Sequence, residues 1–381
     1  MIGMDLAKLG ALTAQLGPVE RLFFRTPAAS DSSGSVDSLF MFIFWLSVFF
    51  FTLLMGLMVY FCVRYRRRPG VPSQLTVQHN TPLELTWSIV PLLLLVVMFL
   101  WGFTDFINAR VAPGESEAYT LRAQKWNWSI EYPTGKLSTD RKRVGATDVP
   151  VFYVSEDRPV QMRMISSDVV HSFWVPDFRV KRDVFPNRYT SYWFKPHAIG
   201  PDAETLSIQG VDREFAYEDH YIFCAEYCGD QHSEIAAILR VVPDDVYEQW
   251  VNQVVGADWP KWKVGQYLYT TKGCVACHKV DGTRLVGPPW DKTWMQPHTF
   301  ADGSTLDPSD GEDAYANYIR QSILEPSAKI VSGFPNQMQS YQGQIKEKEI
   351  DAIIAYMQYL KEGEPGGAPG ETGSDTGGGG G

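Results

Sequence analysis

Cys224-Ala225-Glu226-Tyr227-Cys228-Gly229-Asp230-Gln231-His232 packs two thiols and an imidazole into nine residues. Thiolate with imidazole is a donor set for copper or zinc, a zinc site would need a fourth ligand, and a Cys224–Cys228 disulfide is the structural use of the same pair. Around this stretch lie short runs of alternating apolar residues, at 118–132, 149–155, 160–167, 190–196, 204–210 and 236–242, separated by turns rich in Pro, Gly and Asp. Many short strands with such punctuation predict a β-sandwich or barrel from about Glu117 onward. His171, in SSDVVHSFWVPDF, falls at a strand end in the same unit. One ligand from an early loop and three from a late one is how a sandwich assembles a rigid copper site, although zinc and a disulfide stay open on the residues alone.

Downstream, a helical stretch at 246–256 reads as a connector. A third unit starts near Trp262 and closes with an amphipathic helix at 346–361, where Ile350, Ile353, Ile354, Met357 and Leu360 recur at helical spacing. It contains Cys274-Val275-Ala276-Cys277-His278, the C-x-x-C-H pattern for covalent haem c attachment: both thiols take the haem vinyl groups and His278 binds iron from one side. No second Cys/His pair at zinc-finger spacing follows. Met338, in a loop before the last helix, is the expected second axial ligand, because His/Met ligation suits an electron carrier. Its rivals are Met295, His298 and Met357; Met357 lies on the apolar stripe of the helix, and His298 reads as a surface histidine. The tail at 363–381 is too rich in glycine to bury a core and is expected to be disordered.

Upstream, 38–63 and 85–104 carry no charged residue, and each is long enough to cross a hydrocarbon core that takes about 20 helical residues. Between them stands Arg64-Tyr65-Arg66-Arg67-Arg68, which places this loop in the cytoplasm and both termini outside. Before Ser38 there are Lys8, Arg21 and Arg25 but no apolar stretch ending in a cleavage site, so the first span is expected to direct export. Cys62 reads as a thiol within that span, His79 as an interfacial loop residue, and His197 and His220 as surface or structural histidines.

The whole-chain averages hide these contrasts. Across 381 residues, 44 acidic groups face 34 basic ones, a net charge of −10 that argues against a nucleic-acid binder. Five cysteines are too few for a disulfide scaffold. Residues 244–381 hold 19 acidic and 11 basic groups, so the excess negative charge lies mostly at the C-terminal end.

The hairpin with Glu84-Leu85-Thr86-Trp87 at the head of its second span, Trp126-Asn127-Trp128, the His171 loop and CAEYCGDQH together resemble subunit II of haem-copper cytochrome c oxidases. The added haem unit resembles the fused caa-type form, and the likeness spans roughly 38–362. It implies a two-helix transmembrane hairpin (38–110) after an N-terminal extension (1–37), a cupredoxin-like β-sandwich (111–243), a linker (244–261), an all-α cytochrome c domain (262–362) and the tail. It also implies a binuclear copper centre, CuA, with Cys224 and Cys228 as bridging thiolates and His171 and His232 as terminal ligands. The Glu226 carbonyl would be a weak ligand and its carboxylate would bind magnesium at the border with subunit I. Trp126 matches the aromatic residue through which electrons enter, and Glu84 a carboxylate near a proton-channel entrance, whose plainer reading is an interfacial charge at a helix end. Ile235 stands where the family has a methionine ligand and cannot donate to copper.

The implied role is electron entry in a bacterial cell membrane, from a cytochrome c or a quinol-oxidising complex, through haem c and CuA, to a polytopic subunit I that reduces oxygen. Rival readings are a quinol oxidase subunit, against which all four copper ligands weigh, the electron-input subunit of a nitric oxide reductase, and a membrane-anchored copper-handling protein that would have no use for haem.

Overall fold

A computed structural model describes residues 16–24, 26–70, 79–145, 147–201, 203–208, 211–253 and 259–362. The glycine-rich tail lies outside the described residues. A short helix α1 (Glu20–Phe23) precedes two long ones, α2 (Asp31–Arg64) and α3 (Thr81–Arg110). Their apolar side chains face outward along most of their length, among them Phe49, Leu54, Leu92 and Phe99. Such a surface is stable only against lipid or other protein.

Helix α2 begins seven residues before the apolar run expected to start the hairpin. Ser30 and Ser33 form a capping box there, each side chain answering the other's backbone N–H. Its 34 residues extend about 51 Å, beyond the roughly 30 Å of a hydrocarbon core. The projecting end is tied to the sandwich by Asp37, whose carboxylate accepts both Nε and Nη2 of Arg179 at 2.8 and 2.9 Å. It is tied to α3 by Ser35, which donates to Asp105 at 2.8 Å. At the start of α3 the Glu84 carboxylate accepts the Asn80 N–H at 3.1 Å, a helix-capping contact.

Among the described residues, eleven strands form the middle unit. Sheet one has the order β2 (Asn127–Glu131), β1 (Glu117–Gln124), β5 (Val160–Ser166), β8 (Thr190–Phe194), with β1 and β5 parallel. Sheet two runs β3 (Arg141–Val144), β4 (Thr147–Ser155), β11 (Ala236–Val242), β10 (Phe215–Cys224), β6 (His171–Val175), β7 (Val180–Val184), with β9 (Glu204–Leu206) also on β10. Tyr119, Leu121 and Trp128 from the first sheet and Phe173, Ile222 and Leu239 from the second fill one buried core.

The connector is not a free tether along its whole length. Helix α4 (Asp244–Val251) buries Val246, Tyr247, Trp250 and Val251 against the sandwich. Arg158 pins it by pairing with Asp244 at 2.6 Å and Glu248 at 2.7 Å. Residues 254–258 lie outside those described.

The C-terminal unit packs α5 (Lys261–Thr271) against α7 (Glu347–Glu362), with α6 (Glu312–Leu324) beside them and a two-stranded hairpin, β12 (His298–Thr299) and β13 (Thr305–Leu306). Its core gathers Leu268, Tyr315, Ile319, Ile350, Ile353 and Met357.

Candidate metal centres

His171 is the first residue of β6 and Cys224 the last of β10, and these strands are antiparallel neighbours with Cys224 opposite Phe173. That pairing brings the imidazole and the thiol to the same end of the sheet. The chain then turns through the loop holding Cys228 and enters a 3-10 turn at His232. His171 Nδ1 is 3.9 Å from Cys224 Sγ, the two sulfurs are 3.9 Å apart, and the ligand atoms of these three residues lie within 4.8 Å of one another; His232 Nδ1 is 3.5 Å from Cys228 Sγ. The Glu226 carbonyl lies 3.1 Å from Cys224 Sγ, while its side chain is exposed. A sulfur separation near twice the length of an S–S bond rules out a disulfide in this structure.

The electrostatics favour a metal. The hydrogen bond shared with Cys228 outweighs the cost of burial and holds the Cys224 thiol far below its usual range, while the same contact pushes the Cys228 thiol up. His171 is fully buried, and Asp168 accepts from its Nε2 at 2.9 Å, which turns Nδ1 toward the sulfurs. Burial alone would raise the Asp168 carboxyl, but His171 and the N–H groups of Lys125 at 2.7 Å and Val169 at 2.6 Å hold it low. Soft sulfurs flanked by imidazole nitrogens are a donor set that fits copper.

Asp168 is missing from the reading of the sequence. An acid three residues before a ligating histidine was the available signal, and that spacing is common enough to be overlooked.

Trp126 is 5% exposed and its indole lies against Gly229 of the ligand loop, where a Cβ would come within 3.2 Å of the ring. Gly229 also has φ +117, so the loop needs glycine twice over. Ile235 is buried at the end of the His232 turn.

The residue before Trp126, Lys125, lines a second site. Cys274, Cys277, His278 and Met338 all face one partly open cleft walled by Trp290, Tyr341, Ile353 and Met357. His278 Nδ1 donates to the Pro288 carbonyl at 2.7 Å, which leaves Nε2 toward the cleft, and burial lowers its pKa, keeping the imidazole neutral and fit to ligate. Burial also pushes the Cys274 and Cys277 thiols up, to about 12 and about 11, so neither is a thiolate in the folded domain. An apolar cleft with two thiols and two axial donors fits a haem c.

Met357 lines the same cleft but is 4% exposed within the core, and Met295 sits outside it, its carbonyl bound by Lys361. His298 is not the expected surface residue: it is buried, its Nε2 bonded to the Thr293 carbonyl at 2.8 Å and its ring among Tyr315, Tyr318 and Phe300. A lone histidine between Pro297 and Thr299 gave no sign of that aromatic nest. His220 is buried against Asp177 at 2.9 Å, and His197 is about half exposed beside Asp31. His79 and Cys62 are exposed.

Comparison with known proteins agrees with this layout. Residues 18–104 match the family model for the cytochrome c oxidase subunit II transmembrane domain, 120–201 that for its periplasmic domain, and 263–361 that for cytochrome c. The cytochrome c oxidase subunit 2 of Bacillus sp. (strain PS3) is 26% identical over 317 residues, 78% of this chain and 80% of that protein. The protein of the same name from Alkalihalophilus pseudofirmus is 25% identical over 311 residues, 78% and 79% of the two chains. A crystal structure of the periplasmic domain of subunit II of cytochrome oxidase from Bradyrhizobium japonicum shares 26% identity over 37% of this chain and 94% of its own, with a TM-score of 0.28. With its helix hairpin, sandwich and third domain matched in that order, the chain carries the transmembrane and periplasmic domains of cytochrome c oxidase subunit II followed by a cytochrome c domain, the make-up of a subunit of a haem-copper oxidase.

Proposed function

We propose that this chain is the electron-entry subunit of its oxidase, passing electrons from an external donor, through a haem c held by Cys274, Cys277, His278 and Met338, to a CuA centre held by His171, Cys224, Cys228 and His232, and on to subunit I. When bound, these groups supply one-electron exchange; the protein supplies their spacing and shelter from water.

The pairing of donors supports this reading: each of the two sulfurs, 3.9 Å apart, has its own imidazole, His171 Nδ1 at 3.9 Å from Cys224 Sγ and His232 Nδ1 at 3.5 Å from Cys228 Sγ, a donor set that would suit copper. The Glu226 carbonyl completes the set, and Asp168 keeps His171 in the ligating tautomer. Trp126, packed on the ligand loop and next to a residue of the haem cleft, is the route between the two sites.

Neither long helix contains a histidine, so ligands for an oxygen-reducing haem and copper belong to subunit I. With Arg64 and 66–68 in the cytoplasm, both termini and both redox domains face the outside of a bacterial membrane. The exposed Glu226 carboxylate is available to magnesium at the border with subunit I. For Glu84 the cap on Asn80 is a sufficient role, and channel entry adds to it.

Metal analysis with electron paramagnetic resonance on the purified complex tests this: the chain should carry two coppers sharing one unpaired electron and one covalent haem. Zinc, or a single isolated copper, overturns it. The co-purifying partner should consume oxygen; nitric oxide consumption in its place would favour the reductase reading.

A further inference from the structure

Gln124, the last residue of β1, is 7% exposed, and its side-chain amide bonds three residues of the haem domain. Its Nε2 donates to the Lys272 carbonyl at 2.7 Å and lies 3.3 Å from Tyr341 Oη, and its Oε1 accepts from Gln339 Nε2 at 2.9 Å. Tyr341 Oη donates to the same Lys272 carbonyl at 3.0 Å, closing the cluster. Lys272 stands two residues before Cys274, and Gln339 directly follows Met338. One side chain of the copper domain thus holds both segments that carry the cleft's axial ligands.

The contact is tight. Gly273, at φ +77, presses its backbone onto the sandwich so closely that a Cβ there would collide with the Gln124 amide. A second tie runs between the ligand loops themselves: Gln337, just before Met338, donates to Asp230 at 2.9 Å, and Asp230 lies between Cys228 and His232.

We infer that Gln124 is a positioning residue that clamps the Cys274–His278 and Met338 segments of the haem domain onto the copper domain. The haem domain is then docked beside the copper loop and does not swing on its connector. The functional consequence rests on the proposed haem and copper sites; the docking does not. Removing the amide leaves the Gln339 amide and one lone pair of the Lys272 carbonyl without a partner in a buried contact, which favours undocking.

The test uses the full-length chain in its complex, with Gln124→Ala, and with Gln339→Ala as a second variant that removes the bond to Gln124 Oε1 from the other side. Hydrogen exchange should lose about tenfold protection in 272–278 and in 337–341 together, while 347–362 keeps its protection. Electron transfer from haem to copper should slow by a similar factor, with both midpoint potentials unchanged. Exchange within about twofold of the parent in both variants overturns the inference, as does equal loss across 347–362, which would mark Gln124 as a general stability residue. A parent complex lacking copper or haem would overturn the proposed function and leave the exchange result intact, so the two failures are distinguishable.

Discussion

Asp168 holds His171 through Nε2 and, with its other oxygen, accepts the backbone N–H of Lys125, so one carboxylate orients a ligand and anchors the approach to Trp126. Outer partners of ligating histidines are worth about 10- to 100-fold in metal affinity. Asp168→Asn should therefore lose copper to a competing chelator at a concentration lower by about that factor, with the sandwich still folded; unchanged retention would contradict the role. Ile235 offers a complementary test. It is buried and close to methionine in volume, so Ile235→Met should cost less than about 1.5 kcal/mol of stability. Copper stoichiometry should stay the same while the copper midpoint potential moves, since weak axial donors tune such sites. The cysteines and histidines were legible in the sequence because their spacing is chemical; Asp168 and Gln124 were not, because hydrogen-bonding partners become apparent only when strands bring distant residues together.

At the scale of elements, the strand that supplies Cys224 was the hardest to read. In β10, Glu218-Asp219-His220 interrupts the apolar alternation, and only pairing explains why the strand tolerates it. Arg240 of β11 bonds Asp219 at 2.7 and 2.8 Å, Lys142 of β3 adds 2.8 Å, and Asp177 takes His220. Burial alone would raise the Asp219 carboxyl; Arg240 and then Lys142 outweigh it and hold it below the usual range. A lowered carboxyl contributes stability that is complete above the unfolded value of about 3.9 and is lost as pH falls through the lower folded value. Asp219→Asn should cost about 3 kcal/mol near neutral pH by leaving Arg240 buried without its partner, and the gap from the parent should narrow below about pH 4 in denaturant titrations. A gap that is constant with pH would contradict the pairing. The connector was legible as a helix but not as a docked one. Trp250 packs between Tyr132 at 4.9 Å and Tyr153 at 4.5 Å, so Trp250→Ala should cost about 3 to 5 kcal/mol, measured by thermal unfolding of the sandwich. A change below about 1 kcal/mol would mean that α4 is a loose tether after all.

For the whole molecule, the averages that resemble an ordinary soluble protein are the sum of two lipid-facing helices, a nearly neutral sandwich and an acidic haem domain. The order of these units was readable from local pattern and motif, but their contact was not: nothing in the sequence shows that the haem cleft opens beside Lys125, one residue from the indole that packs on the copper loop. On the proposed electron route, that contact decides the kinetics. A tethered and docked carrier needs no diffusional encounter, whereas an external donor meets the acidic surface through charge that salt screens over about 8 to 10 Å. The most direct measurement is therefore the rate of electron transfer from haem to copper within the complex, followed after rapid reduction of the haem at low and at high ionic strength. The predicted result is an internal rate that stays constant within about twofold while reduction by the external donor changes by about tenfold or more. An internal rate that falls with salt as steeply as the external one would contradict the account.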